Sequence, residues 1–288
     1  MTFLLIFILC VIAALKITLQ SMFAKHVACT NTDGILYNGF IFMAAFFMFL
    51  PSVRYRISWN TFLFGSFFGG LSVLFQMTYI QALSKGPVSL TVLINNFGML
   101  IPVFVSALVF KEPFTGWRIA GTVLTGISFL FNVEMTGSGG IDKRWLVPAF
   151  ATFTANGLLS VTQKVYTVVG VANEIGGFVC SAYFAATVLS GLIYLGLSIS
   201  GQKKTFRIKP KIIASAALIG IILGLFQALN TYAAGVIDGT LLFPAYNGGV
   251  TLLLTIIGVL LFCERLDKRR WIGTGTGIIA IVLMSIPV

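Results

Sequence analysis

Lys16 lies inside an unbroken apolar run that extends from about residue 3 to residue 24. At about 1.5 Å of helix rise per residue it sits roughly 20 Å into a hydrocarbon layer of about 30 Å. An ammonium at that depth is costly unless it is paired, wetted or stretched to an interface. Two chemistries fit: a cation that meets a carboxylate or phosphate on a substrate, or a lysine whose stem reaches the nearer interface. Asn95 and Asn96 fall in the middle of another apolar run, 88–109, and Asn247 in the middle of a third, 239–262. Amides left unpaired in lipid are costly, so these side chains face protein, water or a ligand. Gly98, Pro102 and Pro244 lie in the same two runs and are expected to loosen them, which frees backbone N–H and C=O groups for a ligand. Gln20, Gln76, Tyr79, Asn156, Gln227, Asn230, Tyr232 and Tyr246 are further polar groups at membrane depth. Some would line a cavity and others would bridge helices. The expected substrate-binding set is Lys16, Gln20, Gln76, Tyr79, Asn95, Asn96, Asn156, Gln227, Asn230, Tyr246 and Asn247.

The acids are informative by their placement. Asp33, Glu112, Glu134, Asp142, Glu174, Asp238, Glu264 and Asp267 all stand at the ends of apolar runs or between them. A proton-coupled exporter of lipophilic cations wants a carboxylate at depth, so the pattern favours substrates with a negative or zwitterionic group. Glu112 and Glu264 are expected to cap helices and pair with the neighbouring Arg118 and Arg270. Lys25 and Lys164, at run ends, read as interfacial anchors. His26 is the one histidine, which leaves an intramembrane hydrolase or metalloenzyme poorly equipped. No catalytic residue, metal ligand set or cofactor is therefore expected. The four cysteines form no CxxC pair, so neither a zinc site nor a disulfide framework is suggested. Gly273-Thr274-Gly275-Thr276-Gly277 resembles a phosphate loop, but it lies inside an apolar run with no strand before it. Its small residues suit close helix packing instead.

The solvent around these residues follows from composition. Of 288 residues, 58% are apolar and 9% charged, where soluble domains carry roughly 25% charged residues. So much apolar surface cannot be hidden in a soluble core. Ten runs long enough to span a bilayer are read at about 3–24, 34–50, 61–83, 88–109, 114–133, 145–168, 175–199, 212–235, 239–262 and 271–286. Continuous apolar stretches without strict alternation favour helices over a barrel. The net charge of +11 is concentrated in the linkers, where it orients the chain and meets anionic head groups; no nucleic-acid partner is implied. The linkers 5–6, 7–8 and 9–10 together hold eleven cations against four in linkers 2–3 and 4–5. The basic-inside rule then places the N-terminus outside, which conflicts with the family habit described next.

Five runs, a glycine-bearing linker from Glu134 to Arg144, and five more runs suggest a repeat. An offset of 152 residues sets Asn95 on Asn247, Phe110 on Phe262, Glu112 on Glu264, Arg118 on Arg270 and Gly121 on Gly273. An offset of 139 sets Ser21 on Ser160 and Lys25 on Lys164. An odd number of spans per repeat inverts one half relative to the other, a plan common among secondary transporters. The stretch from Tyr79 through Ala82-Leu83, Pro102-Val103 and Glu112-Pro113 to Gly121 and Gly126, with its echo at Tyr232, Glu264-Arg265-Leu266, Gly273 and Gly277, resembles the drug/metabolite transporter superfamily, specifically its ten-helix EamA type. One departure is Leu254, where the family often has a proline.

The resemblance implies an all-α integral membrane protein of ten transmembrane helices, arranged as two inverted five-helix repeats, 1–137 and 138–288. It implies a secondary transporter, an exporter of small metabolites such as amino acids, working by alternating access at a midplane cavity between the repeats. Both termini are commonly cytoplasmic in that family. The alternative substrates are phosphorylated, lipid-linked or nucleotide-sugar-type anions. A membrane-embedded enzyme and a scaffold or sensor subunit are the rival classes. The partners implied are a small-molecule substrate and the lipid bilayer, with proton or substrate-gradient coupling and a monomeric or homodimeric state left open. A bacterial inner membrane is the expected location.

Overall fold

A computed structural model describes residues 2–27, 31–54, 57–86, 88–132, 143–171, 173–199, 210–262, 267–284 and 286. Every regular element among them is helical: α1 (Thr2–Val27), α2 (Asn31–Phe49), a short 3-10 turn (Leu50–Arg54), α3 (Trp59–Lys85), α4 (Val88–Phe97), α5 (Leu100–Leu108), α6 (Gly116–Asn132), α7 (Lys143–Val169), α8 (Ile175–Ile199), α9 (Pro210–Val236), α10 (Gly239–Phe262) and α11 (Lys268–Met284). Seven stretches are long and apolar enough to cross a membrane: Thr2–Met22, Gly34–Val53, Trp59–Lys85, Leu90–Leu108, Ile175–Ile199, Pro210–Val236 and Gly239–Leu260. Helices suit that setting because each closes its own backbone hydrogen bonds where no water is available. The described chain is thus an all-α protein with the helices of a membrane protein. α6 and α11 are shorter, at 17 residues each. α7 is long, but Thr152, Thr154, Asn156, Thr162 and Gln163 dilute its apolar character.

Cys29, Glu134, Asp142, Cys263, Glu264 and Arg265, and the basic run Lys203, Lys204, Arg207 and Lys209, lie outside the described residues, as do the side chains of Lys25, His26 and Asp33.

The chain forms two compact units. One comprises Met1–Ala14, Thr78–Lys164 and Ala233–Val288; the other comprises Leu15–Met77 and Val165–Tyr232. Each draws on both halves of the sequence. In the first unit α6 pairs with α11. Small residues let the two backbones approach: a Cβ on Gly273 would stand 2.7 Å from Asn132 Nδ2, and one on Gly121 would stand 2.8 Å from the Ala280 carbonyl. Ser128 Oγ closes the crossing by donating to the Gly273 carbonyl at 2.6 Å. Gly273 and Gly277 of the glycine-threonine run of α11 therefore serve packing, while Gly275 faces open space. In the second unit α2 pairs with α8, where Phe42 stacks on Tyr183 with ring centroids 5.8 Å apart. Tyr37 on α2 also bonds Ser215 on α9 at 3.1 Å. The side chains turned away from these contacts are apolar, Leu4, Phe7, Val147, Phe150 and Leu192 among them, as a lipid-facing surface requires.

The Leu90–Leu108 stretch is not one regular helix. It breaks at Gly98-Met99, between α4 and α5. By contrast α10 runs through Pro244 without interruption. Pro244 stands in the second turn of α10, where it removes one N–H from the ladder while the helix continues through it.

Candidate functional site

The break between α4 and α5, in the first unit, interrupts a stretch long and apolar enough to span a membrane. The Gly98 N–H bonds the Asn95 carbonyl at 3.0 Å, and the Met99 N–H bonds the Asn96 carbonyl at 3.2 Å. These are tight three-residue closures in place of the four-residue ladder. The Asn95 carbonyl also accepts Asn156 Nδ2 of α7 at 2.9 Å. Asn95 and Asn156, separate in sequence, are thereby brought together. Asn95 Oδ1 is buried with no hydrogen-bond partner among the described residues. Only glycine fits at the break. A Cβ on Gly98 would stand 2.9 Å from both the Asn95 and the Phe153 carbonyls, and one on Gly157 would stand 2.9 Å from the Gly98 carbonyl.

The other expected residues of this unit are placed differently. Asn247 Nδ2 turns onto its own helix and donates to the Phe243 carbonyl at 2.8 Å. The repeat equivalence of Asn95 and Asn247 thus does not extend to their bonding, because α10 lacks the break that exposes the carbonyl of Asn95. Tyr246 is half-buried on α10, and its carbonyl faces Cys10 Sγ at 3.6 Å. Asn96 and Tyr79 are half-buried on α4 and α3.

In the second unit Lys16 Nζ sits over the Phe226 ring, 5.3 Å from its centroid. No carboxylate among the described residues pairs with it. A ring under a cation contributes about 0.5–2 kcal/mol, whereas a lysine deep in a spanning helix costs about 2.5–3.5 kcal/mol. The ring therefore offsets only part of the cost. The next residue on α9, Gln227, is 5% exposed, and its Nε2 has no hydrogen-bond partner among the described residues. Asn230 is buried on the same helix. Gln20 and Gln76 are half-buried on α1 and α3. Phe226 is the member of this group that sequence reasoning missed. Its signal was adjacency to Gln227, which is weak in a chain with 27 phenylalanines.

A second polar cluster in the first unit corrects two expectations. Lys164 is not an interfacial anchor: its side chain is 8% exposed and pairs with Glu112. It also donates to the Ala234 carbonyl at 2.9 Å and the Ile237 carbonyl at 3.3 Å, carbonyls that the end of α9 leaves unmet. Glu112 is not paired with Arg118. Its Oε2 accepts the Gly239 N–H at 2.6 Å and the Thr240 N–H at 3.4 Å, capping α10 where the helix dipole favours an anion. Arg118 instead binds Asp238 Oδ2 at 2.8 Å, the Pro113 carbonyl at 2.8 Å and Thr240 Oγ1 at 3.0 Å. Lys111, at φ 52°, takes the left-handed conformation that turns the chain after α5 into Glu112. Glu264 itself lies outside the described residues.

In the second unit Ser58 caps α3, accepting the Thr61 N–H at 3.2 Å. Ser58 in turn donates its N–H at 3.0 Å and its hydroxyl at 2.7 Å to Glu174 Oε2. The Thr61 hydroxyl, followed by the Ser58 hydroxyl and N–H, holds the Glu174 carboxyl below its usual range. Among the described residues no three His, Cys, Asp or Glu side chains gather into a group that could hold a metal ion.

No family model matches the chain. An uncharacterized protein of Haemophilus influenzae is 22% identical over 187 residues, 62% of this chain. The match spans 60% of that relative's own length. A protein of known crystal structure, 18% identical, superposes with a TM-score of 0.68 over 96% of this chain and 98% of its own. That likeness is one of fold. The class these findings define is an all-α protein that has, among the described residues, seven helical stretches fit to span a membrane.

Proposed function

We propose that the chain is a secondary transporter, an exporter of small metabolites such as amino acids, that works by alternating access in a bacterial inner membrane. The observation that carries this reading is the spanning stretch broken at Gly98-Met99, with Asn156 on the Asn95 carbonyl and Asn95 Oδ1 unmet. Discontinuous helices whose freed backbone meets polar side chains are a recurring device of transporters. Pro102, four residues on, cannot bond the Gly98 carbonyl and crowds it, so the backbone there is left open to other partners.

We further propose the architecture of the EamA-type drug/metabolite transporters, ten helices in two inverted five-helix repeats. Helix pairing supports it. On the ten-span reading α2 and α8 are spans 2 and 7, and α6 and α11 are spans 5 and 10. Each of these two pairings therefore joins repeat mates, as helices beside a pseudo-two-fold axis would.

The test is counterflow in proteoliposomes with a pool of labelled neutral amino acids. The wild type is expected to accumulate label, and Asn156→Leu to fall to background. Accumulation by both would leave transport standing and remove the α4–α5 break from the substrate path. Failure of the wild type to accumulate neutral amino acids or phosphorylated metabolites would overturn the reading.

A further inference from the structure

We propose that Lys16, Phe226 and Gln227 form a recognition site for the anionic group, carboxylate or phosphate, of a small soluble ligand. The inference deepens the transport reading by naming the end of the substrate that is held, and it rests on that reading only for the ligand's fate. Its own support is separate. All three residues belong to one compact unit, and none takes part in the α4–α5 break.

The group is a surplus of donors. Lys16 brings an ammonium with three N–H bonds and no acceptor. The Phe226 ring at 5.3 Å faces it, and a ring neither accepts a strong hydrogen bond nor carries a counter-charge. Gln227 follows Phe226 on α9, about 100° around the helix, and its amide Nε2 is buried and without a partner among the described residues. Lys16 belongs to neither the Arg118–Asp238 nor the Lys164–Glu112 pair. A cationic ligand would be repelled, and a neutral donor would leave both groups unmet. A carboxylate or phosphate oxygen supplies charge and lone pairs together, and charge-assisted bonds of this kind are the strong ones. The aromatic face beside the cation excludes water from one side and so strengthens the field that an anion would meet.

The acidic residues elsewhere show the contrast. The charged clusters elsewhere meet an opposite charge or a capped donor, Glu112 on Lys164, Asp238 on Arg118 and Glu174 on Ser58, although Arg118 Nε and Asn95 Oδ1 stay unmet among the described residues. Lys16 differs from these in that its whole charge, not one atom of a paired group, lacks a counter-charge among the described residues.

The test uses the purified full-length chain in detergent, with thermal melting and equilibrium binding as readouts. The probes are alanine, its amide (which lacks the carboxylate), methyl phosphate and short-chain phosphatidylglycerol. Alanine or methyl phosphate is expected to raise the melting temperature of the wild type, and alaninamide to leave it unchanged. Lys16→Met should weaken anion binding roughly 10- to 100-fold, the range for losing a bond to a charged group. Gln227→Leu should weaken it by a smaller factor, and Lys16→Arg should retain part of it. Without ligand, Lys16→Met should melt no lower than the wild type; should it fail to fold, Lys16→Arg and Gln227→Leu carry the test. The proposal is overturned if no soluble anion shifts the wild type, if Lys16→Met binds as the wild type does, or if only phosphatidylglycerol stabilises the protein. Counterflow run beside it separates the two readings. Anion binding that depends on Lys16 without counterflow keeps the site and removes transport. Counterflow of alaninamide as readily as alanine, unchanged in Lys16→Met, keeps transport and removes the site.

Discussion

Two lysines stand inside long helices of this protein, and their surroundings are opposite. Lys164 on α7 has a carboxylate and two helix-end carbonyls around its ammonium. Lys16 on α1 has the face of a phenylalanine. In the first case the protein supplies the whole counter-charge, and the lysine joins the end of α9 and the start of α10 to Glu112. In the second it supplies only part. The difference teaches that a cation in a spanning helix is structural where its field is closed by the chain and available where it is left open.

That contrast predicts opposite signs on substitution. Lys164→Met leaves Glu112 buried without its partner and should cost about 3–5 kcal/mol, the range for breaking a buried pair. It should be seen as a large fall in melting temperature in detergent. Glu112→Gln should fall in the same direction. Replacing both, as Glu112→Leu with Lys164→Met, should recover part of the loss, since no lone charge remains, but not the bonds to Ala234, Ile237, Gly239 and Thr240. Lys16→Met should leave ligand-free stability unchanged or raise it by about 1 kcal/mol, the part of the burial cost that the ring does not offset. A comparable loss at both lysines would erase the distinction.

Gly98→Ala sharpens the same comparison from the backbone side. The added Cβ meets two carbonyls at 2.9 Å, so α7 or the break must shift, at about 1–3 kcal/mol. Counterflow activity should fall further than stability if the break serves transport, and in step with stability if it does not.

The smallest expected effect concerns Glu174. Its carboxyl is depressed by the hydroxyl of Thr61, then the hydroxyl and N–H of Ser58. A depressed carboxyl contributes stability that is present above its unfolded value, near about 4.3, and lost as pH falls through the folded value. The wild type should therefore lose melting temperature on acidification below that range, and Glu174→Gln should show a shallower pH dependence there. Equal slopes in the two proteins would show that the Ser58–Thr61 contacts do not distinguish the charged form.

Much of the fold was legible because lipid imposes a plain rule. A run of some twenty apolar residues bounded by charges or by Gly and Pro has few options other than a helix. Gly273 and Gly277 of α11 were readable as packing residues for the same reason. The sites were less legible. Asn95 and Asn96 were singled out as amides at depth, but the partnership with Asn156 crosses 61 residues and leaves no local pattern. Asn247 matched Asn95 by repeat and yet bonds its own helix. Glu112 was assigned to the nearby Arg118, whereas its partner Lys164 is remote in sequence. Proximity in sequence was a poor guide because charges in a helical membrane protein are matched at helix ends that meet only after folding.

What the sequence alone determined is the solvent and the secondary structure. Composition requires an apolar surrounding, and apolar surroundings require internally bonded helices. It also placed a lysine where one is expensive. Tertiary structure alone decided which charge is neutralised: whether a carboxylate, a helix end or a ring arrives beside an ammonium depends on how the helices pack. The energy of a charge varies steeply with its nearest few ångströms, and no spacing rule in the chain specifies those.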